Sequence, residues 1–262
     1  MKKKRVFSIL IIVLIVFIAG WIIYFNQNHG FFIVSRPYYD ETYVTLRFDD
    51  GLKSQIKAFE ILKKYNFSGS FYIITDKPDS DIEWERDYYL NWEDINEISE
   101  FMEIGSHAKG QRDMSRIGDY EEEIAGSKKR LEEKGYNIST FVYPAGNYNR
   151  QVLRVVEENY DCASSQDVGN NAPPIRPHLL KSFTIRYGND MGTVKRVIKK
   201  GKWNIITFHD IGDVNYEKAP VIFRRVIDVG RIEEEYFEEI VEYLNKENIT
   251  IITMDEGCRL LT

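Results

Sequence analysis

YVTLRFDDG, residues 43–51, is the stretch on which the fold turns. Its first six residues are rich in β-branched and aromatic side chains, and Asp49-Asp50-Gly51 stops the run, so it reads as a strand closed by a turn. Directly after it, SQIKAFEILKKY (54–65) spaces Ile56, Phe59, Ile61 and Leu62 along one helical face. The same alternation continues outward. SFYIIT (70–75) reads as a strand, Trp92 to Phe101 as a helix, and MEIGSH (102–107) as a strand. A charged helix follows over 115–134, with Glu and Lys at helical spacing. FVYP (141–144) is a strand end, Gln151 to Glu158 a helix and CASS (162–165) a strand. WNIITF (203–208) and ITIITM (249–254) are strands on either side of the helix EEEYFEEIVEYLNK (233–246).

Strand and helix in alternation predict an α/β domain of parallel strands covered by helices, either an open doubly wound sheet or a barrel. Both architectures place function at the C-terminal ends of the strands.

Upstream of this domain, residues 6–25 (VFSILIIVLIVFIAGWIIYF) carry no charge. At about 1.5 Å per residue they span roughly 30 Å as a helix, enough for a bilayer core. Lys2, Lys3, Lys4 and Arg5 precede the run, and Trp21 and Tyr24 fall where an aromatic belt would sit. The expectation is one N-terminal transmembrane helix with a cytoplasmic basic tail (1–5), an anchor (6–25), a tether (26–40) and an extracytoplasmic catalytic domain (41–262). A cleaved signal peptide fits less well, because no small-x-small pair closes the run.

The chain has 262 residues, with 35 basic against 41 acidic side chains. Without the four basic residues of the tail the balance is 31 against 41, or −10. A surface that acidic repels phosphate backbones, so no nucleic-acid partner is expected. Nothing in the sequence marks a protein partner. Cys162 and Cys258 are expected to be two buried thiols rather than a disulfide.

Four predicted strand ends carry chemistry: Asp49-Asp50, Ser106-His107, Tyr143-Pro144-Ala145-Gly146 and His209-Asp210. Alone, Asp-Asp-Gly is a turn, and one strand-end histidine is usually a satisfied polar residue. Carboxylates and imidazoles converging on one rim instead point to a metal site or an acid–base pair.

TLRFDDG, EIGSHAKGQRDM, FVYPAGNYN and IITFHDI together resemble the successive motifs of the polysaccharide deacetylases, carbohydrate esterase family 4. The resemblance implies a distorted (β/α) barrel of about seven strands that removes N-acetyl, or less often O-acetyl, groups from an acetylated glycan. It implies a divalent metal, commonly zinc. It makes Asp49 the general base, Asp50 and His107 metal ligands and His209 the general acid. Tyr143, Pro144 and Gly146 would line the substrate groove.

The chain departs from that pattern at three places. Gln111 stands four residues after His107, where the family has a second ligating histidine; a neutral amide oxygen suits harder ions such as manganese or cobalt better than zinc. Val142 stands where an arginine usually orients the base, and Thr207 replaces a leucine. Arg47 lies two residues before Asp49 on the same side of the strand. It either supplies the missing guanidinium to Asp49 or pairs with another carboxylate. The alternative to an enzyme is a non-catalytic glycan-binding relative with a degraded metal site.

Overall fold

The computed structural model describes residues 41–110, 118–212, 220 and 229–261. The expected basic tail, membrane anchor and tether, and Gln111, lie outside the described residues. Among the described residues no helix is long and apolar enough to cross a membrane.

Seven parallel strands close on themselves: β1 (Tyr43–Phe48), β2 (Ser70–Ile73), β3 (Glu103–Ser106), β4 (Thr140–Val142), β5 (Cys162–Val168), β6 (Leu180–Thr184) and β7 (Trp203–Phe208). The seam is β1, paired with β7 from Tyr43↔Trp203 to Phe48↔Phe208 and with β2 only at Arg47↔Ser70 and Phe48↔Phe71. Because β2 joins so late, the first residues of β1 have a free edge on that side. A short eighth strand, β8 (Thr250–Ile251), fills it by pairing with Tyr43 and Val44. Closure settles the choice between open sheet and barrel, in favour of the barrel.

Strand alternation sorts the side chains. Val44, Leu46 and Phe48 point outward under the helices, where Phe48 stacks on Phe71 at 4.4 Å and on Phe208 at 5.5 Å between ring centroids. Each such buried side chain contributes roughly 1.5–3 kcal/mol. Thr45, Arg47 and Asp49 point into the barrel. The interior is closed at the N-terminal end by Trp203, Ile205, Leu180 and Met254, with the Trp203 indole N–H donating to Thr45 Oγ1 at 2.9 Å.

The helices are α1 (Gln55–Tyr65), α2 (Glu83–Tyr88), α3 (Trp92–Ser99), α4 (Tyr120–Glu133), α5 (Arg150–Asn159), α6 (Met191–Val197), α7 (Glu234–Lys246) and α8 (Met254–Leu261). Helix α1 stops at Asn66, whose left-handed φ of 54° lets its N–H reach back to the last carbonyls. Helix α3 starts on a capping box between Asn91 and Asp94.

Three expectations need correction. ITIITM is not a six-residue strand: pairing ends at Ile251, and Thr253 and Glu256 cap the start of α8. Strand β6 and helices α2 and α6 were not foreseen. Cys162 and Cys258 are not free thiols but a disulfide, with Cα atoms 6.2 Å apart. The reason is tertiary. The start of α8 docks on the N-terminal end of the barrel, where the Met254 and Asp255 N–H groups donate to Ser70 Oγ and Glu103 Oε2. That docking brings Cys258 beside the first residue of β5.

Candidate active site

The Asp-Asp-Gly turn after β1 is sharp because two successive residues are left-handed, Asp50 at φ 76° and Gly51 at φ 68°. Gly51 adopts this freely, and Asp is among the few other residues that tolerate it. The turn leaves Asp49 directed into the barrel and swings Asp50 toward β3. Asp49 is 1% exposed and Arg47 is fully buried. One Arg47 arm, Nη2, donates to Asp49 Oδ2 at 2.8 Å, and the other, Nη1, donates to Ser164 Oγ at 2.6 Å. Of the two pairings open to Arg47 from sequence, the structure has the one with Asp49.

His107 follows β3 and is 3% exposed. Its Nδ1 lies 2.9 Å from the Val142 carbonyl, which can only accept, so Nδ1 carries a proton and Nε2 faces Asp50. Nε2 meets Asp50 Oδ1 at 3.2 Å. Burial alone would raise the Asp50 carboxyl, but the hydrogen bond to His107, with the charges of His107, His209 and Arg47, holds its pKa below the usual value. Burial alone would lower the His107 imidazole, yet the bond to Asp50 and the charges of both aspartates hold it above its usual value. The proton that joins Nε2 to Asp50 Oδ1 occupies a buried position that a cation would take over from it. Asp50 and His107 therefore fit two ligands of a divalent ion. Among the described residues no group of three such side chains forms a complete cluster.

His209 ends β7, the strand beside β1. Its Nδ1 is buried without a hydrogen-bond partner. The same is true of Arg47 Nε, Asp49 Oδ1, Thr75 Oγ1, Tyr89 Oη and Thr207 Oγ1. These are six of the seven such atoms among the described residues. All six lie at the C-terminal ends of β1, β2 and β7 or on the segment bridged to the Asp-Asp-Gly turn. Buried polar atoms are almost always satisfied; unsatisfied ones gathered at one rim mark a place for ligands.

The segment after β4 has a different role from the one expected. Tyr143 is fully buried, packs against Phe141 and Tyr148 and donates its hydroxyl to the His178 carbonyl at 3.0 Å. Its ring belongs to the apolar cluster that also holds Phe141 and Tyr160. Pro144 is also buried, leaving Ala145 and Gly146 nearer the surface. Gly146 has φ 69°, and a Cβ there would come within 2.5 Å of Gln166 Cβ, so only glycine fits.

Asp210 follows His209 at the end of β7. It is 2% exposed, accepting from Ser54 Oγ at 2.8 Å and from Tyr88 Oη at 2.6 Å. Burial pushes its pKa from the usual 3.8 up to about 6. Between those values the folded protein holds a proton that the unfolded chain has released. Stability therefore falls as pH rises from about 4 to about 6 and stays lower above. An Asp210→Asn variant, neutral at every pH, is expected to melt higher than wild type above pH 6 and to converge with it near pH 4. Parallel melting curves across that range would refute the assignment.

Residues 37–160 match the family model for polysaccharide deacetylase. A polysaccharide deacetylase from Bacillus cereus is 26% identical with a TM-score of 0.53, covering 59% of this chain and 51% of that one. One from Bacillus anthracis is 25% identical with a TM-score of 0.54, with the same coverage. The chain thus spans about half the length of these two proteins. A carbohydrate esterase family 4 pseudoenzyme from Bacillus anthracis shares the fold at 12% identity and a TM-score of 0.52, covering 84% of this chain and 66% of that one. No curated protein sequence matches the chain. The resemblance read from the motifs and the fold it implied both hold.

Proposed function

We propose that this chain, carrying a polysaccharide deacetylase match over residues 37–160, is a membrane-anchored, outward-facing, metal-dependent deacetylase. It would hydrolyse N-acetyl, or O-acetyl, groups of a cell-surface or extracellular polysaccharide. The observation that carries the reading is the pairing of two carboxylates with two different partners at one rim: Asp49 with Arg47, and Asp50 with His107. One aspartate is thereby equipped as a base and the other as a ligand.

Asp50 and His107 would hold the ion, with Gln111 as a further donor; zinc is the first expectation, and manganese or cobalt the alternative. When bound, the ion supplies Lewis acidity toward the acyl oxygen and the attacking water. Asp49 Oδ1 is the free oxygen that takes a proton from that water, while Arg47 fixes Oδ2 and keeps the carboxylate oriented. As the C–N bond breaks, the departing nitrogen needs a proton, and His209, just after the neighbouring strand, would give it.

The outward orientation rests on the basic residues before the apolar run 6–25 and on the disulfide, since such bonds persist in oxidising compartments. The second reading, a glycan-binding relative that lost catalysis, is favoured by Gln111, a neutral amide where the family pattern has a second ligating histidine. Metal analysis of the purified protein, with acetate release from N-acetylated oligosaccharides before and after chelation, separates the two. Stoichiometric metal with chelator-sensitive release is expected. Glycan binding with no metal and no release would establish the second reading.

A further inference from the structure

Helix α1 buries Ala58, Phe59 and Leu62 on one face, and the first position of that face is Gln55, which is fully buried. A carboxamide there is costly unless every polar atom is satisfied. Each one is. Gln55 Oε1 accepts from the Leu52 N–H at 3.2 Å. Gln55 Nε2 donates to the Asp49 carbonyl at 2.5 Å and to the His209 carbonyl at 3.2 Å. One side chain therefore grips the backbones of the two residues assigned above as base and acid.

The place of this grip is informative. The β1–β7 ladder runs to Phe48↔Phe208, and its last rung is the Asp49 N–H on the Phe208 carbonyl at 3.1 Å. Beyond that rung the chain after β1 turns through the left-handed Asp50 and Gly51. The Gln55 carboxamide acts as one additional rung, made from a side chain, between the residues that follow each strand. The Ser54–Asp210–Tyr88 hydrogen bonds lie next to it and brace the same pair of loops. A purely structural helix face would be served by an apolar residue, as at its neighbours Ala58, Phe59 and Leu62.

We infer that Gln55 is a positioning residue that sets the spacing between Asp49 and His209, an inference that rests on the deacetylase reading. Glutamate has the length but no N–H to donate, asparagine is one methylene short, and apolar residues offer nothing to either carbonyl.

The test is Gln55→Met, which keeps length and neutrality and removes both donors. A misplacement near 1 Å costs about a hundredfold, so kcat on an N-acetylated oligosaccharide is expected to fall by about ten- to a hundredfold, with KM nearly unchanged. Turnover of an activated aryl acetate should fall less, because a phenolate leaves without the acid. A residue that only supports the fold would instead lower both activities equally, in step with the folded fraction. Equal losses, or an unchanged kcat, overturn the inference. Should Gln55→Met not fold, Gln55→Asn keeps the amide but shortens the reach, and is expected to show the same split to a smaller degree. A crystal structure of the variant separates this inference from the deacetylase reading. If wild type releases no acetate, that reading fails. The inference about Gln55 then stands if the Asp49 and His209 backbones move apart in the variant, and fails if they do not.

Discussion

Asp49→Asn is expected to cut acetate release by about a hundred- to ten-thousand-fold while metal content stays near that of wild type. The carboxylate sits 2.8 Å from Arg47 through Oδ2, and its other oxygen has no hydrogen-bond partner among the described residues. An asparagine keeps the shape and cannot take a proton from water. Asp50 and His107 meet each other independently of that oxygen, so the ligand pair survives the change. There is a structural cost. Arg47 is fully buried, and breaking a buried ion pair by removing one partner costs about 3–5 kcal/mol. The guanidinium would keep the Ser164 hydroxyl and a neutral amide oxygen but lose the negative charge at position 49. Activity must therefore be normalised to folded protein, and the melting temperature should drop with it. Loss of metal in parallel with activity would show that the two aspartates have been assigned the wrong way round.

Replacing both Cys162 and Cys258 by alanine is expected to have the largest effect on stability. The bond closes a sequence separation of 96 residues. A loop that long corresponds to about 4–5 kcal/mol of restricted unfolded-state entropy, within the usual range for native disulfides. For a domain of this size each kcal/mol moves the melting temperature by about 2–4 °C, so a fall of roughly 10–20 °C is expected. Cys162 begins β5, at the barrel end opposite the strand termini that carry Asp49, His107 and His209. Activity per folded molecule should consequently persist at low temperature. Calorimetry on the double variant and on reduced wild type reads this directly. An unchanged transition after verified reduction would mean that the docking of α8 through Ser70 and Glu103 suffices without the bond.

The regular part of the fold was legible because each signal is local. β1 is rich in β-branched and aromatic residues, β7 is a near-continuous apolar strand, α1, α5 and α7 carry a one-sided apolar face, and caps such as Asn91 and Asn149 sit where helices begin. Strand β6 escaped because LKSFT buries only its first and third residues fully, and α2 because six residues hold too few turns for a periodicity. The start of α8 was written as Thr253-Met-Asp-Glu256, a capping-box pattern that the preceding β-branched run obscured.

For the site, chain order alone brought Asp49, Asp50, His107 and His209 to one rim, since parallel strands deliver their C-terminal ends to the same side. Partner choice was another matter. Whether Arg47 met Asp49, whether Cys162 met Cys258 and whether the Tyr143 ring faced the rim or the core all depend on barrel closure and on where the last helix docks. Those are contacts between residues far apart in the chain, as between Thr45 and the Ile252 carbonyl, 207 positions away. Gln55 shows the same division: a polar residue on an apolar helix face is visible in the sequence. Its two acceptors, six and 154 residues away, exist only once β1 and β7 lie side by side.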